Sequence, residues 1–385
     1  MKDGLRVIDS DLHVIEMGDV YEHYIDEKYR DKMPKYLGWS PTNFPHWDVQ
    51  GRTIPPWARS EDVIGPQQYL DAPTEHLYKP VREKQYSAAS TLDAMDAEGI
   101  DIAVVYRTFA HMVVSIDDLE PEYATAYCTA FNDWLADYCQ TDATRLKAAA
   151  ILSLHDPELA AAEARRAVEE KGHVGVVLLP MPVNGRYFNA PECDVLWQEI
   201  TRLGVPLAFH GTSGGASDDY VSNRFWGKPN YRTLNHASAF PVELMLALGS
   251  MTAGGVLERF PDLRVAFLEG NCGWLPWWLE RLDDQWEKYG GGESLQLSAL
   301  PSEYFKRQCF IGTDVDEELL SVVIDHIGDD NIVMSVDYPH ADGPFPEGVQ
   351  TFLDLPKVSL DSKRKIMWDN CVRLYGFAEA ISARK

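Results

Sequence analysis

The stretch Asp9-Ser10-Asp11-Leu12-His13-Val14-Ile15-Glu16 ends an apolar run with a carboxylate and an imidazole two residues apart. Alternate side chains of a strand share a face, so Asp11 and His13 point the same way and offer half of a divalent-metal site. Asp–His pairs also serve as caps or as buried hydrogen-bonded pairs, so this one gains its meaning from its company. Pro206-Leu207-Ala208-Phe209-His210-Gly211 is an apolar run ending in His210, although a histidine there also suits simple core packing. In Ile332-Val333-Met334-Ser335-Val336-Asp337-Tyr338-Pro339-His340 the run ends in Asp337, which fits a helix cap, a metal ligand or a general base. Val265-Ala266-Phe267-Leu268-Glu269 ends likewise before a Gly-rich turn; Glu269 reads as a ligand, an acid/base or a cap for the helix beginning near Trp274.

The joint placement of these residues points to one metal centre held by Asp11, His13, His210 and Asp337. A metal there lowers the pKa of bound water or polarises a carbonyl. Asp337 or Glu269 would then carry the proton, with His340 orienting Asp337. Glu16, His236 and Glu269 are candidates for a second metal. Arg107 and His111, after the second strand, are candidates for binding a substrate carboxylate, with a surface position the plainer reading of His111. The remaining histidines, His23, His46, His76, His155, His173 and His326, lack strand-end context and read as structural or solvated.

These donors converge only if the strands carrying them lie side by side. Short runs rich in Val, Ile and Ala alternate with helical patterns, as parallel βαβ units require. Eight strands are predicted, near Leu5–His13, Asp101–Arg107, Leu146–Leu154, His173–Pro180, Val205–Gly211, Leu263–Glu269, Cys309–Thr313 and Asn331–Asp337. Helices are predicted over Glu158–Glu170, over Pro191–Leu203 stopped by Gly204, and over Glu317–Ile327 capped by Asp314 or Asp316. Eight such units fit a (β/α)8 TIM-type barrel better than an open doubly wound sheet, and a barrel keeps its chemistry at the C-terminal strand ends. The whole chain, 1–385, then forms one barrel domain. Residues 33–90, rich in Pro and Trp, are too long for one crossover helix and read as an insertion after strand one that forms a lid or an interface. The glycines between Gly211 and Tyr231 suggest a mobile loop at the barrel mouth.

The composition narrows the function classes. With 45% hydrophobic and 11% aromatic residues the chain builds a large core. A net charge of −25, from 60 acidic against 35 basic residues, argues against nucleic-acid and anionic-membrane partners. Neither an apolar signal core nor a membrane-length apolar run is evident, and the six cysteines are scattered without a CxxC pair. A cytoplasmic protein acting on a small molecule is the expectation.

Taken together, the chain resembles the amidohydrolase-related (amidohydrolase 2) family, which includes aminocarboxymuconate-semialdehyde and γ-resorcylate decarboxylases. The resemblance rests on Asp9, Asp11, His13 and Glu16, on the strand ending in His210, and on Gly254-Gly255-Val256-Leu257-Glu258-Arg259-Phe260-Pro261-Asp262-Leu263-Arg264-Val265-Ala266-Phe267. It rests also on Ser335–His340 and on Asp369-Asn370-Cys371-Val372-Arg373-Leu374-Tyr375-Gly376. It implies a (β/α)8 barrel with one divalent metal, Zn or Mn first and Fe as a further option, held by Asp11, His13, His210 and Asp337. The activity implied is hydrolysis or non-oxidative decarboxylation of a small organic acid or amide. Homo-oligomers are common in such a family, and a hetero-oligomer stays open. The chain departs from the decarboxylases at two places: Asp11 replaces the first His of an HxH pair, and Glu269 stands where a strand-six His is common. That carboxylate enrichment keeps two rival readings in view, a dinuclear iron or mixed-metal oxygenase and a non-catalytic metal-binding partner subunit.

Overall fold

The computed structural model describes residues 1–16, 20–39, 45–54, 83–212, 215–217, 219–225, 231–340 and 343–377. Eight strands form one parallel sheet: β1 (Ile8–His13), β5 (Ile102–Tyr106), β6 (Leu146–Ile151), β7 (Gly175–Leu178), β8 (Leu207–His210), β9 (Val265–Leu268), β10 (Cys309–Asp314) and β11 (Ile332–Ser335), paired in that order. These are the eight predicted strands, and they curl into a (β/α)8 barrel. Most are buried end to end, because barrel side chains fill the inside while helices cover the outside. The helices follow from their end signals. Asp156 accepts from the amides of Glu158 and Leu159 at 2.8 and 3.1 Å to open Pro157–Lys171, and Gly172 closes it in the left-handed region.

The ladder leaves β1 and β11 as its two ends, and side chains join them. The Ser10 hydroxyl donates to the Met334 carbonyl (2.8 Å) and the Ser335 hydroxyl to the Asp11 carbonyl (2.7 Å). The Val336 amide donates to the Asp9 carboxylate (3.1 Å), and the His13 amide to the Tyr338 carbonyl (2.9 Å). This seam lies beside the residues that could hold a metal.

Between β1 and the helix Ala88–Glu98 stand a short helix (Val20–Tyr24), a 3-10 turn (Glu27–Lys32) and an antiparallel sheet of β2 (Lys35–Trp39), β3 (Pro45–Val49) and β4 (Arg52–Ile54). Trp47 of β3 is buried, its ring 5.4 Å from that of Phe109 just beyond β5. Residues 55–82, with Trp57 and His76, lie outside the described residues, as do 213, 214, 218 and 226–230 of the predicted mouth loop. What is described of that loop is tied down: the Tyr220 hydroxyl donates to the Thr212 carbonyl (2.6 Å) and the Val221 amide to Glu243 (2.7 Å).

One helix starts later than predicted. It spans Leu320–Ile327, because Glu317 turns its carboxylate to the amides of Cys272 and Gly273 instead of joining the first turn. All six cysteines are free and buried. No helix among the described residues is long and apolar enough to cross a membrane.

Candidate metal centre

Each donor reaches the barrel mouth because its apolar strand ends there. Asp11 and His13 close β1, whose register against β5 shifts between Asp9 and Leu12, a local irregularity of the kind that re-aims side chains. His210 is the last residue of β8. Gly211 follows because there is no room for a Cβ: one would clash with Phe240 Cδ1 and sit 2.8 Å from the Glu269 carbonyl. Glu269 and Asp337 lie just past β9 and β11, both in the left-handed region with φ of 54° and 56°. Non-glycine residues rarely adopt that conformation, and it clusters at functional sites.

Ligand-type atoms of Asp11, His13, His210 and Glu269 all lie within 4.8 Å of one another, and His13, Asp337 and His340 form an overlapping group. His210 Nε2 is 2.9 Å from Asp11 Oδ1, 3.1 Å from Glu269 Oε2 and 3.3 Å from His13 Nε2. His13 Nε2 is 3.6 Å from Asp11 Oδ1, 3.7 Å from Glu269 Oε2 and 3.5 Å from Asp337 Oδ1.

The ring tautomers follow from the opposite nitrogens. His13 Nδ1 lies 2.9 Å from the Arg107 carbonyl, and His210 Nδ1 lies 2.9 Å from the Gly211 carbonyl. A carbonyl only accepts, so each Nδ1 carries the proton and each Nε2 presents a lone pair. Burial pushes both histidines below the ordinary imidazole pKa, so the rings are neutral. Lone pairs and carboxylate oxygens then face each other at contact distance, an arrangement that repels itself unless a cation stands among them. Burial and the neighbouring Asp337 drive the Glu269 pKa well up. Two imidazoles and two carboxylates fit a divalent ion such as Zn, Mn or Fe.

Asp337 pairs with His340, Oδ1 to Nδ1 at 2.7 Å, and His340 Nε2 reaches the Thr108 hydroxyl at 3.1 Å. The His340 ring lies against that of His13, centroids 4.2 Å apart and planes tilted by 33°. Glu16 does not join either group. Its buried carboxylate accepts from the amides of Thr108 (3.0 Å), Phe109 (3.0 and 3.1 Å) and Ala110 (3.0 Å), which hold the loop after β5. His236, in the helix Tyr231–Met251, lines a cavity of about 320 Å³ with Phe240, Glu269, Asn271, Asp314 and Asp337.

Arg107 is buried behind the site, its Nη2 donating to the His210 carbonyl at 3.0 Å and directed at that of Gly211 at 3.4 Å. His111 is buried too, not at the surface, with Nε2 2.5 Å from the Thr212 hydroxyl. Two residues outside the predicted set belong here. Asp9, pushed up to about 7 by burial, accepts from the amides of Asp11 and Val336 and so fixes both walls of the centre. Its two-residue spacing from Asp11 was a usable signal. Nothing in the sequence marks Thr108.

Residues 8–377 match the family model described as Amidohydrolase. The chain belongs to the amidohydrolase family. It is an enzyme of that family, similar to the decarboxylase orsB of Emericella nidulans, 29% identical over 64% of this chain and 72% of that one. It is 25% identical to γ-resorcylate decarboxylase of Polaromonas sp., over 73% of this chain and 85% of the relative. Two solved structures share the fold. An amidohydrolase from Mycobacterium avium subsp. paratuberculosis superposes with a TM-score of 0.76 at 23% identity, covering 97% of this chain and 100% of that one. A dihydroxybenzoic acid decarboxylase from Polaromonas sp., with bound manganese and the inhibitor 2-nitroresorcinol, superposes with a TM-score of 0.66 at 18% identity, covering 98% and 99%.

Proposed function

We propose that this amidohydrolase is a metal-dependent lyase that removes CO2 without oxidation from a small, aromatic or unsaturated carboxylic acid. The observation that carries the reading is the convergence of Asp11, His13, His210 and Glu269 on one point, beside an Asp337–His340 pair, in a chain whose relatives are decarboxylases. Manganese is the favoured ion, because the dihydroxybenzoic acid decarboxylase holds it on the same fold. A divalent ion bound there supplies Lewis-acid polarisation of a substrate oxygen. The protein's part is to place the substrate and to manage one proton. When the carboxylate leaves as CO2, its bonding electron pair stays on the substrate carbon, which must take up a proton. Asp337 is placed to hold that proton, and its 2.7 Å contact with His340 Nδ1 gives a route to replace it. Thr108, at the far nitrogen of the same ring, fixes the ring's orientation.

The chain acts as a single barrel domain in this reading, since its first and last strands share a seam. We read the insertion, of which residues 33–39, 45–54 and 83–90 are described, as a lid or an interface, and Trp47 seated against Phe109 supports the lid. Hydrolysis of an amide by the same centre is the second reading, favoured by the carboxylate enrichment around Glu269. The test supplies manganese-loaded protein with hydroxybenzoates and related acids and measures CO2 release. Asp337→Asn should cost about 10²–10⁴ in rate while manganese stays bound. Amide hydrolysis without CO2 release would favour the second reading, and full activity in metal-free protein would end both.

A further inference from the structure

Glu269 reaches the centre only because the turn after β9 is bent into a conformation its residues do not favour. Both Glu269 and Asn271 sit in the left-handed region, with φ of 54° and 55°. Among the contacts around this turn, those from the end of β10 and the residues after it hold its far end. The Cys272 amide lies 2.9 and 3.0 Å from the two Glu317 carboxylate oxygens, and the Gly273 amide donates to Oε1 at 2.7 Å. The Thr313 hydroxyl donates to Oε2 at 3.0 Å, which fixes the Glu317 side chain from its own strand. Asn271 Nδ2 donates to Asp314 Oδ2 at 2.6 Å, a second tie between the same two loops. A Cβ on Gly273 would lie 2.7 Å from Leu319 Cδ1 and 3.2 Å from Glu317 Oε1, so the close approach of this loop uses the absence of a side chain there. Remove the carboxylate and two amides lose their acceptor, and the turn is released toward ordinary backbone angles. The Glu269 Oε2, now 3.1 Å from His210 Nε2, would swing away with it.

We infer that Glu317 is a positioning residue for the metal: by clamping the amides of Cys272 and Gly273 it holds Glu269 in the donor set and so sets how tightly the centre binds its ion. The inference rests on the metal-centre reading, with Glu269 as a donor. Residues that orient a metal ligand from behind typically change affinity by about 10–100-fold when altered.

The test measures manganese Kd by titration calorimetry on chelator-stripped protein, well below the melting temperature. Glu317→Ala, which removes the acceptor of both amides, should raise Kd about 10–100-fold, and Glu269→Gln at least as much. The double variant should bind no more weakly than Glu269→Gln alone, because Glu317 acts through that side chain. Glu163→Gln serves as the structural control. It disturbs a carboxylate bonded to Asn132, Thr129 and Arg166 away from the site, and should lower the melting temperature without moving Kd. Should Glu317→Ala fail to fold, Thr313→Val removes one of the partners of Glu317 and should weaken binding in the same direction. An unchanged Kd in the tested clamp variant (Glu317→Ala, or Thr313→Val in its place), or losses that add in the double variant, overturns the inference. Failure of the wild-type protein to bind manganese would instead overturn the metal-centre reading itself.

Discussion

Glu16 is the residue at which two readings of this chain part most cleanly. Its carboxylate is buried and accepts from three successive amides, of Thr108, Phe109 and Ala110. Glu16→Gln keeps the shape but leaves one accepting oxygen and puts an NH2 group against an amide that also donates. Hydrogen bonds to a charged group contribute about 1.5–3 kcal/mol each and neutral ones about 0.5–1.5, so three of them lose about 3 kcal/mol in total. Relief of the buried charge offsets part of that and leaves about 2 kcal/mol. For a chain of this length the unfolding entropy is about 0.8 kcal/mol per degree, which converts the loss into a drop of about 3 °C in melting temperature. Calorimetry on the manganese-loaded variant reads the shift, and elemental analysis of the same sample reads the metal. The expected outcome is a lower melting temperature with the metal content of the wild type retained. A variant that melts like the wild type but has lost one of two metal equivalents would refute the reasoning and restore Glu16 as a ligand of a second ion.

Two further outcomes follow from the geometry. Gly211→Ala places a Cβ against Phe240 and the Glu269 carbonyl, so it should cost about 1–3 kcal/mol of stability and weaken manganese binding; unchanged binding would mean the His210 and Glu269 turns tolerate separation. His173 is buried, with Nδ1 3.1 Å from the Ala167 carbonyl, and burial pushes its pKa down to about 4. Its folded pKa is therefore below the unfolded value of about 6.5, the unfolded chain binds more protons between them, and stability falls as pH drops from about 6.5 to about 4. That one group should remove about 2 kcal/mol between pH 7 and 5. Urea midpoints should show a shallower acid slope in His173→Gln, and parallel slopes in the two proteins would count against the assignment.

The strand ends were legible because each carries a continuous apolar run closed by a donor, and a barrel brings all such ends to one face. Asp11, His13 and His210 could be read in this way. Glu269 reads as a candidate from its strand end, but its place in the tightest cluster depends on a left-handed turn clamped by Glu317 from another loop. Glu16 shows the converse. A carboxylate in the opening motif looks like a ligand, yet its partners are backbone amides 92 to 94 residues away, which no local pattern encodes. Arg107 reads as an anion binder by type, whereas its Nη2 is taken up by carbonyls of the His210 turn. Long-range contacts of backbone atoms are the common thread in what sequence could not show.

The seam between β1 and β11 has a consequence for how the protein is made. Ser10 bonds Met334 and Asp11 bonds Ser335, each across 324 residues of chain. At about 5–20 residues per second, on the order of 16 to 65 seconds separate the synthesis of the first wall from that of the last. Through that interval Asp11 and His13, half of the donor set, stand in an open ring without the Val336–Tyr338 wall that backs them. Loading must therefore wait for ring closure, so the ion acquired is set by what the completed barrel meets, not by what surrounds the emerging chain.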